Sequence, residues 1–466
     1  MRVEVEVVDG GERTVGDDQV TAADGGTWGH LSEATVGRTM IDIRLVRDDP
    51  AAVRAALARR QVPGAEVDAL VDADSRARMA VGRRDELRAK VKELSRQVGA
   101  ARKAGDEAAG AAAADESRRL RAEERAAQEE ADAAQAEVRD RLLWLPNLPA
   151  DDAPDGEGAE DNPVVRRWPQ TPRRYGEHQR VAHWDLGPQL GILDMERGAK
   201  LSGSMFPLFR GMGSRLLRAL TAFALDRHAD AYEEIRPPTV VRTETMVSTG
   251  HLPKFEDEAY HLERDDLWAI PTAEVPLTSM HRQEILEEQD LPIRLTAATA
   301  CFRREAGAAG RDTRGLLRVH EFDKVELFAY ATAEQAADVH EDMVRRVGEL
   351  LEALDLEYRV VDLCTGDLGN SSARTFDFEV YSPGCDQWLE VSSVSWFRDY
   401  QARRANVRYR TESGPPRFVH TLNGSALAWA RIWAALVETG RQPDGSVRLP
   451  DVLAPWLGPQ PTVAAP

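Results

Sequence analysis

From Leu70 to Ala101, apolar or small side chains fall at Leu70, Ala73, Ala77, Ala80, Leu87, Val91, Leu94, Val98 and Ala101, broken only by Arg84. Alternating steps of three and four place them on one stripe of an α-helix, and such a stripe is stable only against a partner. A second run supplies one, with Leu120, Ala127, Ala131, Ala134, Val138 and Leu142 on one face. The Gly-containing break from Ala104 to Gly110 makes the two an antiparallel helical hairpin, roughly 48 Å long at 1.5 Å per residue. Its alanine-rich second stripe lets the helices approach closely. The Pro-rich acidic stretch that follows stops the helix and builds no periodic face, so 149–163 reads as a linker.

The formal net charge of −19 argues against a nucleic-acid partner, but phosphate binding is a local property. The hairpin is unequal in this respect. Arg76 to Lys103 holds ten basic and three acidic residues, whereas Asp115 to Arg141 holds six basic and nine acidic ones. A structural coiled coil with a solvated basic face explains this as well as an RNA-binding arm does.

A second constraining stretch is TACFRREAGAAGRDTRGLLRVHEFDKVELF, Thr299 to Phe328. Leu295 to Arg303 reads as a strand, Glu305 to Gly315 as a small, Gly-rich basic loop, and Leu316 to Phe328 as the returning strand. Arg303, Arg311, Arg314 and Arg318 near the loop suit a polyphosphate, because guanidinium forks bind phosphate oxygens in pairs. Phe322 offers a face for a base. An ordinary hairpin with a solvated loop remains open at this point.

The 466 residues allow two or three domains, and no run of 18 apolar residues suggests a membrane span. Cys301, Cys364 and Cys385 are odd in number and widely spaced, which points to a reducing cytoplasm and leaves no zinc expected. Residues 1–39 carry eight acidic and three basic residues and are expected to be a disordered extension.

The Thr299–Phe328 stretch resembles motif 2 of the class II aminoacyl-tRNA synthetases, in the form found in seryl-tRNA synthetases, and the resemblance runs over about residues 40–458. It implies an α+β protein: a class II antiparallel sheet flanked by helices (164–460) behind an N-terminal coiled-coil arm domain (40–148). It also implies a homodimer, with Arg215 to Tyr232 and the strand ending at Pro237-Pro238 in the place of motif 1. The implied reaction is ATP-dependent activation of L-serine and its transfer to tRNA(Ser), and to tRNA(Sec) where present.

The family's site residues carry over by position. Thr272, Ala273 and Glu274, with Glu326 and Ser425, would bind serine, the two glutamates facing its ammonium. Arg303, Arg304, Glu305, Arg318, Val319, Phe322, Glu390, Val391, Ser392, Ser393 and Arg431 would bind ATP, with Arg303 and Arg431 as the catalytic cations. Glu390 and Ser393 would supply hard oxygens to the Mg2+ that accompanies ATP. Arg83, Arg88, Lys90, Lys92, Arg96, Arg102 and Lys103 are the candidate tRNA contacts on the arm. His320 and His420 are expected to be packed or hydrogen-bonded rather than catalytic.

Three places depart from the family pattern: Asn370 and Arg374; Trp396 and Arg398; and Ala426, Trp429 and Ala430. The last group lies beside Ser425 and Arg431, where added bulk would overpack the nucleotide site. A specialised second copy, either supplying seryl-tRNA to a secondary pathway or tolerating a serine-mimicking inhibitor, is one expectation from this clustering, and compensated drift with Trp429 facing the core is the other. Rival functions are an arm protein with a decayed site and an enzyme that charges a carrier protein. The retained TAE, FRRE and EVSS segments speak against the first, and the long arm against the second.

Overall fold

The computed structural model describes residues 41–307 and 312–464. The expected disordered extension and Arg311 therefore lie outside the described residues. The hairpin is formed by helices α1 (Gly64–Ala104) and α2 (Glu107–Trp144). It is longer than its sequence stripe, because α1 has 41 residues, roughly 60 Å at 1.5 Å per residue. The break is also tighter than expected, and Glu107 to Gly110 belong to α2. Gly105, at φ +74°, ends α1 in the left-handed conformation that costs glycine little, and the Asp106 carboxylate accepts from Ala109 N at 3.0 Å to start α2.

The stripe buries as its spacing requires. Leu70, Ala73, Ala77, Ala80 and Leu87 meet Leu120, Ala127, Ala131, Val138 and Leu142, while Val91, Leu94 and Val98 nearer the tip are only half-buried. Arg84 stays in the seam by turning its guanidinium out to Asp85, 2.7 Å away. Arg76, Arg83 and Arg88 reach across to Glu137, Glu130 and Glu124 at 2.8, 3.3 and 3.1 Å.

At its base the arm grips the rest of the chain. Ile41, Val46, Leu57, Val67, Leu70, Leu142 and Leu145 form one apolar cluster with Tyr400, whose hydroxyl donates to Leu145 O at 3.0 Å. Arg60 donates to the carbonyls of Asn147, Leu368, Gly369 and Ser372 at 2.7–3.1 Å. Burial pulls this guanidinium down to about 10.

The remainder is built on an eight-stranded sheet: β1 (Val164–Trp168), β2 (Glu233–Glu234), β3 (Ile293–Phe302), β4 (Glu321–Ala331), β5 (Tyr358–Asp362), β6 (Arg374–Ser382), β7 (Gln387–Trp396) and β8 (His420–Ala428). Their order is β1-β5-β6-β7-β8-β4-β3-β2, antiparallel except where β2 runs parallel to β3. Helices Gly211–His228, Ala336–Ala353 and Trp429–Thr439 bury their apolar faces in the main core with β4, β6, β7 and β8. The first of these covers most of the Arg215–Tyr232 stretch, for which a helix is expected, shifted four residues earlier at each end. Register places Ala297, Glu326 and Ser425 in line across β3, β4 and β8, and a bulge just past Ser425 turns the end of β8.

The returning strand begins at Glu321, not at Leu316. Gly315, at φ +57°, turns the chain inward, and Leu316 and Leu317 enter the core instead of alternating on a strand.

Candidate active site

A cleft of about 370 Å³ opens over β4, β7 and β8. At one end it is polar and anionic. Thr272 Oγ1 donates to Glu326 Oε2 at 2.7 Å and accepts from Lys324 Nζ at 2.8 Å, while Lys324 also pairs with Glu326. Asn423 donates its amide to Glu274 Oε2 at 3.0 Å and to Glu326 Oε1 at 3.2 Å. Gln401 donates to the other oxygen of Glu274 at 2.6 Å, itself oriented by Thr421 Oγ1 at 2.8 Å. Burial, followed by the neighbouring Glu326 charge, pushes the Glu274 carboxyl up to about 7.

The other end is cationic. The Arg303 guanidinium lies 5.2 Å from the Phe322 ring centre. Arg318 donates to Glu305 Oε2 at 2.6 Å, and Glu305 sits at φ +51°, a left-handed position that few acidic residues adopt. Arg431, near the start of helix Trp429–Thr439, donates to Leu317 O at 3.1 Å and to Glu390 O at 2.7 Å. Burial pulls Arg431 below its ordinary range, with Glu390 opposing.

Glu390, Val391, Ser392 and Ser393 of β7 also line the cleft, Glu390 beside Arg431 and Ser392 donating to Ser425 O at 2.6 Å. Ser393 Oγ donates to Asp377 Oδ1 on the adjacent strand β6, and burial and the Glu390 charge hold the Asp377 carboxyl well above its usual range. Hard oxygens from Glu390 and Ser393, with a second carboxylate behind them, are a donor set suited to a hard divalent cation.

Thr272, Glu274, Ser425, Arg303, Glu305, Arg318, Val319, Phe322, Glu390, Val391, Ser392, Ser393 and Arg431 all line the cleft. Three expected residues do not. Glu326 is fully buried behind Thr272 and Lys324, because strand alternation stacks Lys324 and Glu326 on one face of β4. Ala273 is buried beneath the short helix Glu274–Ser279, and Arg304 is exposed beside the cleft, its backbone N–H held by Glu258 O at 2.9 Å. Residues that sequence reasoning left unassigned are Lys324, Asn423, Gln401 and Asp377. The first two carried a signal, each lying two residues before an assigned residue on the same strand face. Gln401 and Asp377 carried none.

His320 Nδ1 contacts Arg303 O at 2.9 Å and packs on Phe206, and His420 Nδ1 accepts from Trp396 Nε1 at 3.2 Å, so both histidines are engaged as expected. The departures from the family pattern are accommodated locally. Trp429 faces the main core and not the cleft, Ala426 is buried, and Ala430 lines the cleft, as does Asn370. Asn370 accepts from Lys254 Nζ at 2.8 Å, Arg374 forks onto Asp362, and Arg398 lies over Trp396. Of the two expectations for Trp429, overpacking of the nucleotide site is therefore corrected, and the indole faces the core as the other had it.

On the arm, Lys90, Lys92, Arg102 and Lys103 are exposed and make no ion pair among the described residues. Arg83 and Arg88 are engaged across the hairpin by Glu130 and Glu124, and Arg96 by Glu93 on its own helix. No described helix is long and apolar enough to cross a membrane.

Two family models match the chain: the seryl-tRNA synthetase N-terminal domain over residues 40–149 and the tRNA synthetase class II core domain (G, H, P, S and T) over residues 254–440. A serine–tRNA ligase of Kosmotoga olearia is 47% identical over 421 residues, covering 90% of this chain and 99% of that protein. One of Gemmatimonas aurantiaca is also 47% identical, over 427 residues and the same shares of each chain. Among solved structures, the seryl-tRNA synthetase of Pyrococcus horikoshii complexed with ATP superposes with a TM-score of 0.84 at 34% identity, covering 91% of this chain and all of that one.

Proposed function

The chain belongs to the seryl-tRNA synthetases, and from that premise we propose how its cleft activates L-serine with ATP and passes the seryl group to tRNA(Ser). The observation that carries the proposal is the joining, in one cleft, of a carboxylate pocket around Glu274 to a row of three arginines.

Glu274 receives the serine ammonium, with Thr272 beside it, and Glu326 adds negative charge from behind. Lys324 pairs with Glu326 and lessens its repulsion of Glu274 without removing it. Ser425 faces the substrate side chain, where a hydrogen bond to the hydroxyl rejects alanine and shape rejects threonine.

At the cationic end, Phe322 and Arg318 hold the nucleotide, Arg303 the α-phosphate and Arg431 the departing pyrophosphate. The serine carboxylate attacks the α-phosphorus in line, and the bond to the bridging oxygen breaks as pyrophosphate leaves. No protein nucleophile or base is needed, and the catalysis is positioning and charge stabilisation. Glu390 and Ser393 would hold the Mg2+ that enters with ATP, with Asp377 hydrogen-bonded behind Ser393. That cation supplies charge neutralisation at the phosphate oxygens. The terminal ribose hydroxyl of the tRNA then attacks the adenylate carbonyl and AMP departs.

The arm holds the tRNA through Lys90, Lys92, Arg102 and Lys103, with Arg83, Arg88 and Arg96 exchanging their carboxylate partners for phosphate. A homodimer in the cytoplasm completes the proposal. Incubating the full chain with total tRNA, ATP and labelled serine tests it: serine should accumulate on tRNA through an alkali-labile ester. Absence of labelled tRNA would overturn it.

A further inference from the structure

Behind the cleft, His183, Cys385 and Glu438 bring their ligand atoms within 4.8 Å of one another, with His183 and Glu438 fully buried. The group is already saturated with hydrogen bonds. Glu438 Oε1 accepts from the His183 backbone N–H at 2.9 Å and faces His183 Nδ1 at 2.8 Å. Glu438 Oε2 accepts from Ser382 Oγ and from Gly384 N at 3.1 Å. On the far side of the ring, His183 Nε2 accepts from the backbone N–H of Leu316 at 2.9 Å. Because Nε2 accepts, the ring proton stands on Nδ1 and is donated to Glu438.

Leu316 belongs to the returning limb of the basic loop. Its neighbour Leu317 accepts from Arg431 at 3.1 Å, and the next residue is Arg318. Arg431 and Glu438 sit at opposite ends of one helix, Trp429–Thr439. That helix therefore holds the loop at two successive residues, directly at Leu317 O and through His183 at Leu316 N–H. Gly315 closes against the same ring, where a Cβ would lie 2.5 Å from His183 Nε2. Trp184 supports the limb from outside, with the Arg314 guanidinium 4.5 Å from its ring centre.

We infer that His183 is a positioning residue for ATP: with Glu438 fixing its tautomer, it pins Leu316 so that Arg318 and Val319 stand at the nucleotide end of the cleft. It touches no substrate. The serine pocket, built by Thr272, Glu274 and Asn423, does not depend on it.

This inference rests on the synthetase reading, and two amide variants separate it from general structural support. His183→Gln carries an oxygen to the place of Nε2 and keeps the acceptor for Leu316. His183→Asn keeps a donor near the place of Nδ1 and leaves the Leu316 N–H unpaired. In serine-dependent ATP–pyrophosphate exchange, His183→Asn should raise KM for ATP about tenfold, the order of one lost hydrogen bond, and His183→Gln by no more than about twofold. KM for serine should be unchanged in both. Equal ATP KM values in the two variants, or ATP and serine KM values rising together, would overturn the inference. Absence of exchange in the wild type would instead overturn the synthetase reading.

Hydrogen exchange on the wild-type enzyme needs no variant to fold. The peptide containing Leu316 should be protected without ligand. Rapid exchange at Leu316 would also overturn the inference.

Discussion

Glu274 and Glu326 share the side-chain amide of Asn423, which donates to one at 3.0 Å and to the other at 3.2 Å. They come from a short helix and a central strand, yet they meet as two buried carboxylates with Lys324 as the nearby cation. The Lys324 ammonium pairs with Glu326, so Glu274 is the carboxylate left for a substrate cation. This division sets the behaviour of the serine pocket.

The first consequence is a pH dependence. With its carboxyl at about 7, Glu274 holds a proton below that pH, and an incoming ammonium must displace it. Serine affinity should therefore rise as pH rises to about 7 and then level off. Below it, KM should grow by up to about tenfold per pH unit. Serine KM measured by exchange between about pH 6 and about pH 8 checks this, and Glu274→Gln should flatten the profile.

Arg303→Ala and Arg431→Ala each remove a cation proposed to face the phosphates. Each should cost activation about 3 kcal/mol, roughly two orders of magnitude in rate, comparable to losing one charge-stabilising donor. Single-turnover adenylate formation measures it, and a near-wild-type rate in either variant would remove the phosphate assignment for that residue.

The arm is far from the chemistry. Arg76 and Arg141 both bind Glu137, so they lie level across the hairpin and a short connector can join them. Deleting the residues between should abolish tRNA charging while sparing exchange. Reversing Lys90, Lys92 and Arg96 to Glu should weaken tRNA binding and flatten its salt dependence, because fewer counterions are released. Filter binding across a salt series reads both effects.

Trp429 is 1% exposed in the main core, and its Nε1 has no hydrogen-bond partner among the described residues. Trp429→Val should lower stability by about 3 kcal/mol through the cavity it leaves, without raising the exchange rate. Trp429→Phe should cost less, since it removes the unpaired donor and keeps an aromatic ring. Denaturant midpoints and exchange rates on the two variants check this. A faster exchange rate in Trp429→Val would return the indole to the nucleotide site.

The arm was legible in the sequence because its information is local: a heptad stripe says which faces meet, whatever else the chain does. The basic loop and the cleft-lining residues were legible as ordered motifs. What escaped was set by register and by distant backbone. Lys324 and Glu326 share one face of β4, but only the neighbouring strand and Thr272 decide that the lysine lines the cleft and the glutamate stands behind it. Gln401 reaches Glu274 across 127 positions. Arg60 is held by carbonyls, which every residue carries and no motif records. Trp429 shows the same limit, since the direction of a side chain at the start of a helix depends on how that helix packs.

The central claim is that the Glu274 pocket and the three arginines form one site that activates serine. ATP–pyrophosphate exchange with serine, alanine and threonine supplied separately tests it most directly. Exchange that depends on serine, with alanine and threonine far weaker, is the predicted result. Absence of exchange with serine, or equal exchange with either of the others, would contradict it.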